Sequence, residues 1–106
     1  MNNFSDMLSK AREMQEKMKE AQDIIKKLQV TGVAGGDRVK VTLSGDYEIK
    51  SIFLSDEVKK EDQNLINDLI IAAYNNAKEN LKKKSSEELN KVTGGLNLPT
   101  DFKLPF

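Results

Sequence analysis

The sequence predicts an α+β protein with the element order α-β-β-β-α, on three observations. Phe4, Met7, Ala11, Met14, Met18, Ala21, Ile25 and Leu28 follow one another at spacings of 3, 4, 3, 4, 3, 4 and 3 residues. That is the a/d period of a helix that turns one narrow seam toward a partner. Arg38-Val39-Lys40-Val41-Thr42-Leu43 alternates polar and apolar residues, as a half-buried strand does. Over residues 62–93 a helical apolar pattern returns and runs into a lysine-rich stretch.

The first helix, residues 4–28, is about 36 Å long at the α-helical rise. Its seam needs a partner of similar length, from the same chain or from a second copy, or the helix must project. Asn3 or Ser5 is placed to cap it. With Phe4 at position a, Lys10 and Lys17 fall at g, and Arg12, Lys19 and Lys26 at b. Asp6, Glu13 and Glu20 fall at c, and Glu16 and Asp23 at f. An acidic ridge is therefore bracketed by two basic rows. Glu13–Lys17 and Asp23–Lys27 are i,i+4 pairs worth ~0.2–0.5 kcal/mol each, so much of this charge is expected to satisfy itself. The methionines of the seam read as adaptable packing.

The helical period ends after Leu28, and residues 29–54 read as a three-stranded antiparallel sheet. Val30-Thr31-Gly32-Val33 is a short strand, and Ala34-Gly35-Gly36-Asp37 a connection. A three-residue turn at Ser44-Gly45-Asp46 would pair Leu43 with Tyr47 and Val41 with Ile49. The third strand, Tyr47 to Leu54, changes phase. A bulge near Lys50-Ser51 returns Ile52 and Leu54 to the core face and points Phe53 away from it. Such a sheet has edges, and an edge can pair with a second subunit.

Ser55 to Glu61 reads as a charged connection, and Asp62 as the cap of the second helix. Residues 65–74 are apolar around most of the helix circumference, which calls for burial on more than one side. The expected dimer-interface residues are Leu65, Leu69, Ile70, Ala73 and Tyr74. Past Ala77, Lys78, Lys82, Lys83, Lys84 and Lys91 outnumber Glu79, Glu87 and Glu88, while Leu81, Leu89 and Val92 keep a thin apolar stripe. Gly94-Gly95 signals a helix stop. Residues 96–106 contain Phe102, Leu104 and Phe106 between prolines, and read as an apolar arm that docks. The whole of 1–106 reads as one domain.

Composition narrows the functional classes. Apolar residues make up 38% of the chain and charged residues 32%, so the core is small for its surface. There is no cysteine and no histidine, which removes disulfides, thiolate metal sites and the commonest general base. No apolar run is long enough for a membrane span, and the N-terminus lacks a signal-peptide core, so a soluble intracellular protein is expected. No phosphate loop, dinucleotide fingerprint or zinc spacing is present. Asp56-Glu57 and Glu61-Asp62 read as charge near helix N-termini rather than as an acid/base pair. No catalytic residue, metal, cofactor or small-molecule substrate is expected, and the chain does not read as an enzyme. The 17 basic and 17 acidic residues cancel, so any polyanion site depends on placement. Lys82-Lys83-Lys84 is the strongest such signal. With 15 lysines to 2 arginines, contact with phosphate is better supplied than reading of bases.

The order of elements also resembles a known family. Met14-Gln15-Glu16-Lys17-Met18, Val30-Thr31-Gly32, and Val39-Lys40-Val41-Thr42 with Gly45 carry the match in the first half. Asp68-Leu69-Ile70, Ala72-Ala73, Asn76-Ala77 and the tail from Leu98-Pro99 to Phe102-Lys103-Leu104-Pro105-Phe106 carry it in the second. Together they resemble the YbaB/EbfC family of bacterial nucleoid-associated proteins, over nearly the full length. The resemblance implies a tweezer-like homodimer in the cytoplasm and nucleoid that binds duplex DNA without catalysis. It places DNA contacts on projecting helices, here Lys10, Arg12, Lys17, Lys19, Lys82, Lys83, Lys84 and Lys91. Thr100-Asp101 departs from the family's usual Pro-Gly, and Phe53 from its usual polar residue. The alternative is a coiled-coil chaperone or adaptor of prefoldin-like helix-hairpin-helix type, which would expose apolar helix tips. Charged tips are expected here.

Overall fold

The computed structural model describes residues 2–93. The expected stop at Gly94-Gly95 and the arm at 96–106 lie outside the described residues. Helix α1 (Asn2–Lys26) is followed by strands β1 (Gln29–Ala34), β2 (Val39–Ser44) and β3 (Ile49–Leu54), a one-turn helix α2 (Asp56–Lys59) and helix α3 (Gln63–Thr93). The α-β-β-β-α order holds. The addition is α2, where a plain charged connection was expected. Ser55 caps it by accepting a bond from the Val58 backbone N–H at 3.2 Å, and Val58 is buried in the core. A single apolar residue thus ties the acidic segment down. Asp62 caps α3 as expected, its carboxylate accepting from the Asn64 N–H at 3.2 Å.

The strands form an antiparallel sheet in the order β1-β2-β3. Val39, Val41 and Leu43 of the central strand are fully buried. Their partners Ala34, Gly32 and Val30 on β1, and Leu54, Ile52 and Ile49 on β3, share their face. The register shift sits at Thr42/Leu43, opposite Lys50, so the expected bulge is present and Phe53 does point outward. The expected turn is not. Leu43 pairs with Ile49 and Val41 with Ile52, not with Tyr47 and Ile49. The connection is longer because the buried Ser44 hydroxyl accepts from both the Asp46 and Glu48 N–H groups. Tyr47 closes the turn at φ 63°, in the left-handed region rather than in the strand.

Helix α3 packs over β1 and β2 and runs antiparallel to β1. At Gly32 the helix meets the strand backbone to backbone: a Cβ there would overlap the Ala73 carbonyl oxygen and the Ala77 nitrogen. Ala73 and Ala77 are fully buried at this crossing. Alongside it, Asn76 Oδ1 accepts from the Val33 N–H at 2.9 Å, and Asn80 Nδ2 donates to the Thr31 carbonyl at 3.0 Å. These two amides occupy the outer edge of β1, which is thereby closed to strand addition. Asn76→Ala is expected to cost about 1 kcal/mol, the net worth of one such bond, read as a lowered urea midpoint.

Beyond the sheet, α1 packs against α3. Ala21, Ile25 and Leu81 are buried there, outside the sheet cluster. The C-terminal end of α1 is seated on the hairpin: a Cβ at Gly45 would overlap the Ile25 carbonyl. The molecule is 72 Å long and 22 by 18 Å across, longer than the ~46 Å of α3 alone. Thus α1 runs outward along the end of α3, antiparallel to it, and not back over the sheet. From Leu81 to Thr93 is about 18 Å, the distance from Ile25 back to Glu13 on α1. Burial agrees: Met14 is half-buried, and the described side chains of residues 3–13 are all exposed. The inner half of the heptad seam is covered and the outer half projects.

Candidate nucleic-acid interface

The basic residues singled out in the sequence all lie on this two-helix arm. Successive α-helical residues turn by about 100°, so Lys82, Lys83 and Lys84 fan out around α3. Relative to the seam of Leu81, Ser85, Glu88 and Val92, Lys82 lies on one flank and Lys84 on the other. Lys83 points away from α1, and Lys91, one heptad after Lys84, repeats its position. Numbered as heptads, Lys84 and Lys91 occupy g on α3, as Lys10 and Lys17 do on α1. In an antiparallel pair the two g rows share a flank. Lys84, Lys17, Lys91 and Lys10 therefore form one row about 18 Å long. Arg12 and Lys19 lie toward the other flank with Lys82.

Ion pairing divides this set further. Lys17 pairs with Glu13 at 3.6 Å, as the i,i+4 spacing predicts, and Lys91 pairs with Glu88 at 3.3 Å. Asp23–Lys27 does not form, because α1 ends at Lys26. Among the described residues Lys10, Arg12, Lys19, Lys82, Lys83 and Lys84 have no ion pair, and all are exposed. An extended anion can meet these charges without first displacing a carboxylate.

The residues expected at a dimer interface separate. Ala73 is fully buried against Gly32 within one chain, leaving nothing of it for a partner. Leu69, Ile70 and Tyr74 are half-buried beside the core, and Leu65 is 43% exposed. Ile49 and Ile52 were not expected among such residues. Both face the core side of the sheet, yet they are 49% and 46% exposed, because α3 lies over β1 and β2 and leaves β3 uncovered. By helical spacing, Ile70 and Tyr74 are on the side of α3 turned away from the Asn76–β1 edge, hence toward β3. Only lateral placement of the helix exposes this patch, so no sequence signal marks it. On the opposite sheet face, Lys40 stands 5.8 Å from the Phe53 ring centroid, a cation–π distance.

The tip of α1 is not purely charged as expected: Phe4 and Met7 are each 68% exposed and Leu8 46%. Among the described residues no group of three or more His, Cys, Asp or Glu side chains is placed to hold a metal ion. No helix among them is long and apolar enough to cross a membrane.

The fold has a solved counterpart. A crystal structure of an uncharacterized Helicobacter pylori protein superposes with a TM-score of 0.70 over 87% of this chain and 98% of that one, at 17% identity. Two curated relatives are closer in sequence. A nucleoid-associated protein of Bartonella bacilliformis is 41% identical over 107 residues, spanning 100% of this chain and 99% of its own length. One of Bartonella tribocorum is 42% identical over 107 residues, spanning 100% of both. The family model for the YbaB/EbfC DNA-binding family matches residues 1–96. With an outlying two-helix arm, a lysine row along it and these relatives over its full length, the chain belongs to the YbaB/EbfC DNA-binding family.

Proposed function

We propose that this protein is a nucleoid-associated homodimer that binds duplex DNA with little sequence preference through lysine–phosphate contacts on its projecting arms. Its role is nucleoid-organising or gene-regulatory, in the bacterial nucleoid. The observation that carries this reading is the arm itself, where basic side chains follow one another along two antiparallel helices, with Lys17 and Lys91 alone among those singled out held in ion pairs. The family name and the nucleoid-associated relatives support DNA as the ligand. Lysines on a helix surface contact phosphates rather than base edges, so affinity is expected to fall steeply with salt and to vary little with sequence. Neutralising about four phosphates per arm predicts a slope of about −4 in log affinity against log salt for one arm, and about −7 if both engage. Binding that stays undetectable at low salt would overturn the reading.

The second copy fits the uncovered side of β3. The outer edge of β1 is capped by Asn76 and Asn80, whereas β3 offers both an open edge and the exposed Ile49 and Ile52 beside Ile70 and Tyr74. Apolar residues beside an open strand edge are what a self-complementary interface requires. Ile52→Lys is expected to convert a two-chain mass in sedimentation equilibrium to a one-chain mass, and to reduce the DNA salt slope by about half. The exposed Phe4 and Met7 are the feature a prefoldin-like chaperone needs. A six-chain mass would favour that alternative.

A further inference from the structure

The outer half of the α1 seam has no cover among the described residues, although its period continues the α1–α3 interface unbroken. The described part of helix α3 ends at the level of Glu13. Beyond that level Phe4 and Met7 are 68% exposed, with Leu8 beside them at 46%. A narrow apolar stripe on a solvated helix is a docking surface, since the a/d pattern presents large side chains along one line.

The chain continues past Thr93 for 13 residues. It does so at the point where the seam loses its cover, and α3 is heading outward along α1 there. Leu96 and Leu98 alternate with Asn97, and Phe102, Leu104 and Phe106 alternate with Lys103 and Pro105. In an extended segment such alternation puts all the large side chains of each piece on one face. Pro99-Thr100-Asp101 between the pieces is a turn signal. From Thr93 to the level of Phe4 is about 14 Å, which five extended residues span. The first piece is long enough to follow the seam outward, and the second to return along it. Asp101 is opposite in sign to Lys10 beside the seam.

We propose that the outer half of the α1 seam, around Phe4, Met7 and Leu8, is the docking site of the chain's own residues 96–106. The alternating leucines and phenylalanines cover the methionine and phenylalanine side chains that lie beyond the level of Thr93. The site uses the face of α1 between the basic rows, so it leaves Arg12 and Lys19 open, and it stands whether or not DNA binds.

The test uses the full chain, which has no cysteine of its own. A nitroxide is attached at Lys103→Cys, a polar position in the alternation, and the Met7 methyl signal is followed by NMR. Broadening of Met7, clearly stronger than that of Met18 nearer the body, is the expected result. Isotope-labelled chains without nitroxide are then mixed with unlabelled chains that carry it. The expected outcome is no broadening in the mixture, because the segment docks on its own chain. Broadening retained in the mixture would assign the seam to a second copy and overturn the proposal. A Met7 signal unaffected in the singly labelled protein would overturn it as well. Far-UV circular dichroism unchanged by Lys103→Cys verifies that the fold is retained.

Discussion

A chain carrying Gly32→Val is expected to lose more than half of its folding stability. The added side chain has nowhere to go. Its Cβ would overlap backbone atoms of Ala73 and Ala77, and no rotamer change moves backbone. The helix would have to lift off the strand, pulling apart Val39, Val41, Ala73 and Ala77, all of them fully buried. Ordinary overpacking costs ~1–3 kcal/mol because side chains can shift. Here the cost is expected above about 3 kcal/mol, against a total stability that for small domains begins near ~5 kcal/mol. Urea unfolding followed by circular dichroism reads the effect. Gly36→Ala supplies the contrast: a Cβ at Gly36 meets nothing within 4 Å and only its φ of +64° opposes it, so a destabilisation of about 1 kcal/mol is expected. If Gly32→Val unfolded at the same urea concentration as the parent, the close helix–strand approach would be refuted.

Replacing Lys82, Lys83 and Lys84 together by glutamate is expected to weaken DNA binding by at least ~100-fold at low salt. The magnitude of the salt slope should fall by about 0.9 for each phosphate no longer neutralised. All three side chains are exposed and none is ion-paired among the described residues, so the helix content and the mass in solution should not change. Placement on the arm makes the three unequal. Lys84 belongs to the row with Lys17, Lys91 and Lys10, and Lys82 to the other flank, while Lys83 points away from α1. Lys84→Glu alone should therefore weaken binding more than Lys83→Glu alone. Titration of a labelled duplex at several salt concentrations separates them. Equal effects of the two single changes would argue against DNA lying along the shared flank.

Much of this was legible in local pattern. The heptad from Phe4 to Leu28, the alternation over 38–43, the phase change near Lys50 and the cap at Asp62 each record which face of an element is apolar or where it starts. Periodicity encodes those properties within a few residues, and the folded chain keeps them. Family membership was legible in the same way, because it rests on the order of short motifs along the chain.

What the pattern does not contain is the partner of each apolar face. Ala73 and Tyr74 look alike as apolar positions on α3, yet one is sealed against Gly32 and the other lies at the flank of the core. That difference follows from where the helix crosses the sheet. Ile49 and Ile52 read as core residues and remain half exposed because α3 lies over β1 and β2. The turn after Ser44 lengthened because a buried hydroxyl took two backbone donors from further along the chain. The lysines were visible as a run, but only the antiparallel pairing of α1 with α3 puts Lys84 and Lys91 beside Lys17 and Lys10. The sequence by itself determined the elements, their apolar faces and the stock of charge available to them. Tertiary structure decided which faces are covered and which charges stand together, because those depend on the lengths and crossing of elements distant in the chain.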